Sequence, residues 1–289
     1  MVLTAGIEKY YFLFGLALVW IVFATVQDIR KREVANWLNF SLVAFALAYR
    51  AFYSSYSSDW MFFAYGLLGF ALFFGLANLF YYSGIFAGGD AKLLMGLGAV
   101  LPFENYMDLA LVGGSFIFML FLIGAVYSLV YSVFLVRRNY LRFAVEFRKN
   151  LGNKRNLLLA LLFVLAFTFF VYSLFGIDFV LLLSGVFLAS FVFFLLIYAK
   201  SLEVCMIKLV SPAKLTEGDW LVNDIRLNGR VIKKTVHGLS IEDIAKLKKA
   251  GKKVLVKEGI PFVPAFLLAF LIMVFFWGVL GLDPAFFLI

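Results

Sequence analysis

The chain has 289 residues, 64% of them hydrophobic and 15% charged, with a mean hydropathy of +0.99 and a formal net charge of +9. This balance excludes a water-soluble globular domain. A single cysteine, Cys205, excludes an internal disulfide and any Cys-x-x-Cys metal cluster, and reads as a small apolar residue.

A bilayer is crossed by about 20 apolar residues as a helix, with every backbone polar group bonded internally, so the long apolar runs predict helices. Broken at Pro, Gly and charge clusters, the sequence predicts about eight spans: 9–28, 36–53, 60–82, 90–102, 106–136, 156–175, 179–199 and 261–281. The fold class is an all-α polytopic membrane protein. The first run has its basic residues after it and no small-residue cleavage site, so it reads as a retained span rather than a secretory signal. The fourth is short: 13 residues at 1.5 Å each make roughly 20 Å, against a hydrocarbon core of about 30 Å.

Orientation follows from the basic residues. With both termini outside, the inner loops hold Arg30, Lys31 and Arg32, then Lys92, then seven between Arg137 and Arg155, then thirteen between Lys200 and Lys257, which is 24 of 26. Only Lys9 and Arg50 fall outside, and an odd number of spans would spoil the alternation. Anionic lipid headgroups account for such a positive inner face, so no nucleic-acid partner is expected. The domain reading is catalytic membrane helices at 1–136, a basic cytoplasmic loop at 137–155, an additional transmembrane pair at 156–199, a cytoplasmic α/β insert at 200–260 and a last transmembrane helix at 261–289.

Within the insert, "WLVNDIRLNGRVI" predicts a hairpin turning at Asn228-Gly229. "LSIEDIAKLKKAG" predicts a helix with Ser240 as N-cap, Asp243 at the capping-box position, Ile241, Ile244 and Leu247 on one face, and Gly251 as its stop. A final strand, "KVLVKEG", follows. His237, the only histidine, reads as a turn residue.

Two carboxylates stand where apolar helices meet the inner boundary. Asp28 closes the first span in "TVQDIRKR", and Asp90 opens the fourth in "GGDAK". Taken singly, Asp28 is a helix-end residue beside Arg30–Arg32, Asp90 an N-cap, Lys92 a snorkelling lysine, and Pro261 and Pro264 helix-start prolines. Taken together, two aspartates in a poorly solvated site share a proton: one polarises water while the other protonates a substrate carbonyl. Gly88 and Gly89 are expected to let the backbone turn tightly and a substrate chain come close to Asp90. Such chemistry needs no metal and no cofactor.

At these residues the chain resembles the type IV prepilin peptidase family of aspartyl proteases, and most its archaeal preflagellin and prepilin branch. The family's Gly-x-Gly-Asp motif, followed by x-Lys, is matched by Gly89, Asp90 and Lys92, with Ala87 in place of the first glycine. Its Ile-Pro-Asn signature after the first aspartate is represented by Asn36, with Val34 and Ala35 before it, and its Pro-Phe-x-Pro element by Pro261, Phe262 and Pro264. "EGDWL" is a further phrase similar to archaeal members. The resemblance implies catalysis by Asp28 and Asp90, with Gly88, Gly89, Lys92, Asn36, Pro261, Phe262 and Pro264 binding substrate or supporting the site. It implies removal, at the cytoplasmic face of the cell membrane, of the short basic leader from precursors of archaellins or type IV pilins carrying class III-type leader peptides. The N-terminal cysteine-bearing domain of the methylating bacterial members has no counterpart here, so peptidase activity without methyltransferase activity is expected.

Two other readings compete. A presenilin-like intramembrane protease shares Gly-x-Gly-Asp but places its aspartates on two consecutive late helices. A proton-coupled transporter would carry carboxylates near mid-membrane on several helices, and the centres of these spans have none.

Overall fold

The computed structural model describes residues 8–175, 179–227, 230–235 and 238–278. In chain order the elements are α1 (Glu8–Lys31), α2 (Asn36–Ser57), α3 (Trp60–Tyr82), α4 (Gly88–Val100), α5 (Tyr106–Arg138), α6 (Tyr140–Leu151), α7 (Lys154–Phe175) and α8 (Phe179–Leu202), then β1 (Ile207–Val210), β2 (Trp220–Leu221), β3 (Ile225–Leu227), β4 (Arg230–Ile232), α9 (Ile241–Ala250), β5 (Val254–Lys257) and α10 (Val263–Gly278). The protein is mostly helical with a small strand-containing region. Each of the eight expected spans overlaps a helix within its described residues. By length and composition, four helical stretches among the described residues are long and apolar enough to cross a membrane: Glu8–Lys31, Trp60–Tyr82, Tyr106–Arg138 and Ser184–Met206. The helix α4 is shorter than a bilayer is thick, and Leu158–Phe170 and Val263–Trp277 are shorter apolar stretches.

The chain divides into two compact units, residues 1–129 with 260–289, and residues 130–259. In the first, α1, α2, α3, α4 and α10 share one core that includes Leu13, Ile21, Leu42, Phe73, Leu97 and Phe266. Large apolar side chains such as Phe23, Phe40, Phe52 and Leu79 point outward, each more than half exposed. So many exposed aromatics suit a surface bathed in lipid rather than water.

The short α4 sits at the centre of this unit, and its glycines explain why. A methyl group on Gly98 would overlap Phe73 and the carbonyl of Gly69 on α3, one on Gly96 would press on Leu42 of α2, and one on Gly69 would meet the carbonyl of Gly98. The backbones of α3 and α4 thus approach at a pair of facing glycines, the close packing available to helices where lipid supplies no hydrophobic drive.

The far end of α4 is held by Arg50, which is fully buried. Its guanidinium donates to the carbonyls of Ala99 and Phe62 at 2.8 Å, Leu101 at 2.6 Å and Val100 at 3.5 Å. The last carbonyls of a helix lack partners within it, and here an arginine fork supplies them. The charge lies over the faces of Phe62 and Tyr10, at 4.6 and 5.4 Å. Lys9 pairs with Glu104 at 3.0 Å and reaches Asp59 at 3.9 Å. The two basic residues that break the charge pattern therefore both have structural partners.

In the second unit, the stretch expected as a basic loop is largely the helix α6. Phe143 and Phe147, one turn apart, pack on Tyr198 and Phe194 of α8, and Asn150 Nδ2 donates to Ser201 Oγ at 3.1 Å. The apolar spacing was there to be read, but the density of charge concealed it. Strands β1, β5 and β2 form an antiparallel sheet in that order, and β3 pairs with β4 in register Leu227↔Arg230. The turn between them, Asn228-Gly229, and His237 lie outside the described residues. Ser240 caps α9 by accepting the Asp243 amide, and Gly251 ends it with φ of 61°. Ile244 and Leu247 are buried, but Ile241, expected on the same face, is exposed.

Candidate active site

Asp28 lies in the last turn of α1 and Asp90 in the first turn of α4, and both are more than nine-tenths buried. The two helices pack against each other, and the charge of Asp28 lies within electrostatic reach of Asp90. Along α1, Asp28 is 19 residues from Lys9, about 28 Å, so the carboxylates and the Lys9 cluster occupy opposite ends of the bundle.

Each carboxylate has its own backbone donor. Asp28 Oδ2 accepts the amide of Val263 at 3.0 Å, with the Phe262 amide also acting on it and the charge of Arg32 nearby. Val263 is the first residue of α10, where an amide has no partner within its helix, so Asp28 caps α10 from another element. Asp90 was expected as an N-cap. It sits instead at the third helical position, with Ala87 at the cap, and its Oδ2 accepts the Ala87 amide at 3.3 Å.

The Pro-Phe-x-Pro segment fixes the Val263 amide. Pro261 and Pro264 are buried, and Phe262 rests on Phe86 and Phe266 with its ring in a notch left by Gly124, where a methyl group would collide with it. The Val263 amide carries no side-chain signature, which is why only the flanking prolines and Phe262 were legible. Asn36 and Lys92 also meet: Lys92 Nζ donates to Asn36 Oδ1 at 2.6 Å, tying the start of α2 to α4.

Gly88 and Gly89 depart from expectation. Both are ordinary helical residues with no left-handed backbone, so no tight turn requires them. A methyl group on Gly89 would touch Val34 at 3.5 Å and one on Gly88 would touch Tyr81 at 3.7 Å, which are normal contacts. Gly88, but not Gly89, lines a groove of about 240 Å³ between α3 and α4, together with residues that include Asn78, Tyr81, Ala91 and Lys92.

Three side chains were not singled out from the sequence. Gln27, beside Asp28, accepts the Ala35 amide at 2.9 Å and braces the α1–α2 link. Asn39, one turn after Asn36, is buried; its Nδ2 donates to the Gly89 carbonyl at 3.4 Å while its Oδ1 has no partner among the described residues. Thr25, one turn before Asp28, likewise has a buried hydroxyl without a partner among the described residues. Polar residues three apart on one helix face of an apolar run were the available signal.

Residues 15–133 match the type IV leader peptidase family. The chain is similar to the preflagellin peptidase of Methanocaldococcus jannaschii, 34% identical over 85 residues, which are 29% of this chain and 36% of that one. It is similar to that of Methanococcus maripaludis, 34% identical over 82 residues (28% and 35%), and that of Methanococcus voltae, 29% identical over 89 residues (31% and 38%). The matched stretch thus spans a little over a third of these relatives. No solved structure matches. These likenesses support the resemblance read from the residues, a type IV leader peptidase of the archaeal preflagellin branch.

Proposed function

We propose that this protein is a membrane-embedded aspartyl endopeptidase that removes the basic leader peptide from precursors of archaellins or type IV pilin-like subunits. What supports the reading is that two buried carboxylates, Asp28 in the last turn of α1 and Asp90 in the first turn of α4, lie on helices that pack together although far apart in sequence. In the proposed reaction the precursor's apolar helix lies in the bilayer and its leader stays on the cytoplasmic side. The scissile peptide is drawn out at the start of α4, beside Asp90. One carboxylate takes a proton from water as its oxygen attacks the peptide carbonyl, and the other protonates the carbonyl oxygen.

The same reading places about eight helices across the cell membrane, the carboxylates at the cytoplasmic boundary and both termini outside; the concentration of Lys and Arg in one set of loops supports it. Asn36, Lys92, Pro261, Phe262 and Pro264 act as supports, a role favoured by the Lys92–Asn36 bond and the packing of Phe262. Membrane lipids are the other partner; nucleic acid, cofactor and methyl transfer have no part.

The test is cleavage of a full-length archaellin or prepilin precursor by the detergent-solubilised protein. The wild type yields the shortened product. Asp28→Asn and Asp90→Asn each lower the rate at least a hundredfold while their thermal melting matches the wild type. Undiminished cleavage by either variant would remove the dyad from the mechanism.

A further inference from the structure

Two carboxylates that share one proton need not be equivalent, and here their surroundings differ in kind. Asp28 accepts the Val263 amide at 3.0 Å, a donor from a helix start 235 residues along the chain, with the charge of Arg32 close by. Among the described residues Asp90 accepts the Ala87 amide at the start of its own helix, at 3.3 Å, and the nearby charge acting on it is that of Asp28. Both face the positive end of a helix, Asp90 in the first turn of α4 and Asp28 at the start of α10, so the helix dipoles do not separate them. Arg30 and Lys31 in the last turn offset the negative end of α1.

The charged groups on the packed elements leave the same contrast. The helix α10 carries none over 263–278, and α2 carries only Arg50, committed to the far end of α4. On α4, Lys92 is bound to Asn36, and Glu33 in the α1–α2 link is exposed. What distinguishes the pair is therefore the Val263 amide bonded to Asp28 at 3.0 Å and the charge of Arg32 in its neighbourhood, and both favour its ionised form.

We propose that the dyad is asymmetric by construction: the Val263 amide holds Asp28 as the ionised partner that takes the proton from water, and Asp90 is the partner that delivers a proton to the peptide carbonyl. This rests on the leader-peptidase reading above. The step balances. As the water oxygen bonds to the carbonyl carbon, its proton passes to the Asp28 carboxylate and the Asp90 proton goes to the carbonyl oxygen. When the tetrahedral diol breaks down, one hydroxyl proton returns to Asp90, the Asp28 proton goes to the departing nitrogen, and the C–N bond breaks. Val263 is a positioning residue acting through its backbone.

The experiment uses the full chain in detergent and a full-length archaellin precursor, with kcat/KM followed from pH 4 to 9. Val263→Pro removes the N–H and exchanges the buried side chain for a pyrrolidine ring; proline at the first helical position suits α10 and breaks no bond within it. Its acidic limb is expected to move up by about one pH unit, with kcat roughly tenfold lower on that limb, KM unmoved and the basic limb in place. Val263→Ala keeps the N–H and holds both limbs at the wild-type pH, which separates the amide from side-chain packing. If the proline variant does not fold, an amide-to-ester replacement at the same bond gives the same readout. Loss of activity in both Asp→Asn variants, with the acidic limb unmoved when the amide is removed, or with the basic limb moved instead, overturns the assignment of roles. Survival of activity in an Asp→Asn variant refutes the dyad itself, a separate result.

Discussion

The two ends of α4 each bury charge, and they treat it in opposite ways. At the C-terminal end Arg50 is saturated: its guanidinium reaches four carbonyls and two aromatic faces. At the N-terminal end Asp28 and Asp90 have backbone donors but are like charges within electrostatic reach, and the hydroxyl of Thr25 and the carbonyl oxygen of Asn39 have no partner among the described residues. A buried charge that serves the fold is fully bonded, since each unmet group costs stability. Charge kept for chemistry must retain room for a substrate. The contrast supports the proposed working end of the helix without reference to any motif.

The largest effect should come from breaking the saturated end. Arg50→Met leaves the carbonyls of Phe62, Ala99 and Leu101 without their donor, at about 1–3 kcal/mol for each unsatisfied group, so a loss above roughly 3 kcal/mol is expected in denaturant or thermal melting. Arg50→Lys recovers little, because an ammonium is a point charge and cannot span carbonyls on two elements as a planar fork does. A melting point close to the wild type in Arg50→Met would show that the arginine is not what secures α4.

Next in size is the packing between the two ends. Gly98→Ala puts a methyl group into Phe73 and the Gly69 carbonyl, where backbone leaves nothing to yield cheaply. A loss of about 1–3 kcal/mol is expected. By contrast, Gly89→Ala meets Val34 at an ordinary 3.5 Å and leaves the melting point in place. Two glycines nine residues apart on one helix thus separate packing from access to the site, read by melting for the first and cleavage for the second.

A smaller effect on stability is expected at the working end. Asn39→Leu gives up a long 3.4 Å bond to Gly89 and also removes a buried oxygen that has no partner. These terms oppose one another, so folding should change by no more than about 1 kcal/mol in either direction. Cleavage should fall about tenfold, because α4 loses a tether next to Asp90. A large loss of stability with cleavage intact would place Asn39 among the structural polar groups, on the side of Arg50.

How much of this could be read beforehand follows from the same physics. Asp28 and Asp90 were legible because a carboxylate in an apolar run is conspicuous, and Pro261, Phe262 and Pro264 because prolines at a helix start punctuate the pattern. Val263 was not, since the group that matters is a backbone amide that every residue but proline possesses. Arg50 was counted only as an outer-face basic residue; that it reaches back to cap α4 depends on which helices are neighbours, which periodicity leaves open. The helix α6 was hidden by its charges, and the glycines of "GGDAK" suggested a turn where the chain is simply helical.

The subtlest test uses a third carboxylate, one with a structural task and water beside it. Asp219, in the strand-containing region, accepts the Thr216 amide at 2.8 Å, and partial burial pushes its carboxyl above the usual range, opposed by that amide and reinforced by the charge of Glu258. A carboxyl raised on folding stabilises the fold below its unfolded value, near pH 4, and that contribution fades as the pH climbs through the raised value. The wild type should therefore lose a little stability relative to Asp219→Asn between about pH 4 and neutrality, and the difference should flatten above that. Asparagine still accepts the Thr216 amide, so the variant keeps its fold and cleaves precursor at the wild-type rate. Paired melts across that pH window, with cleavage assayed alongside, set a bonded structural aspartate against Asp28 and Asp90; cleavage lost in Asp219→Asn would mean that a half-buried, amide-bonded carboxylate is not by itself enough to tell the two kinds apart.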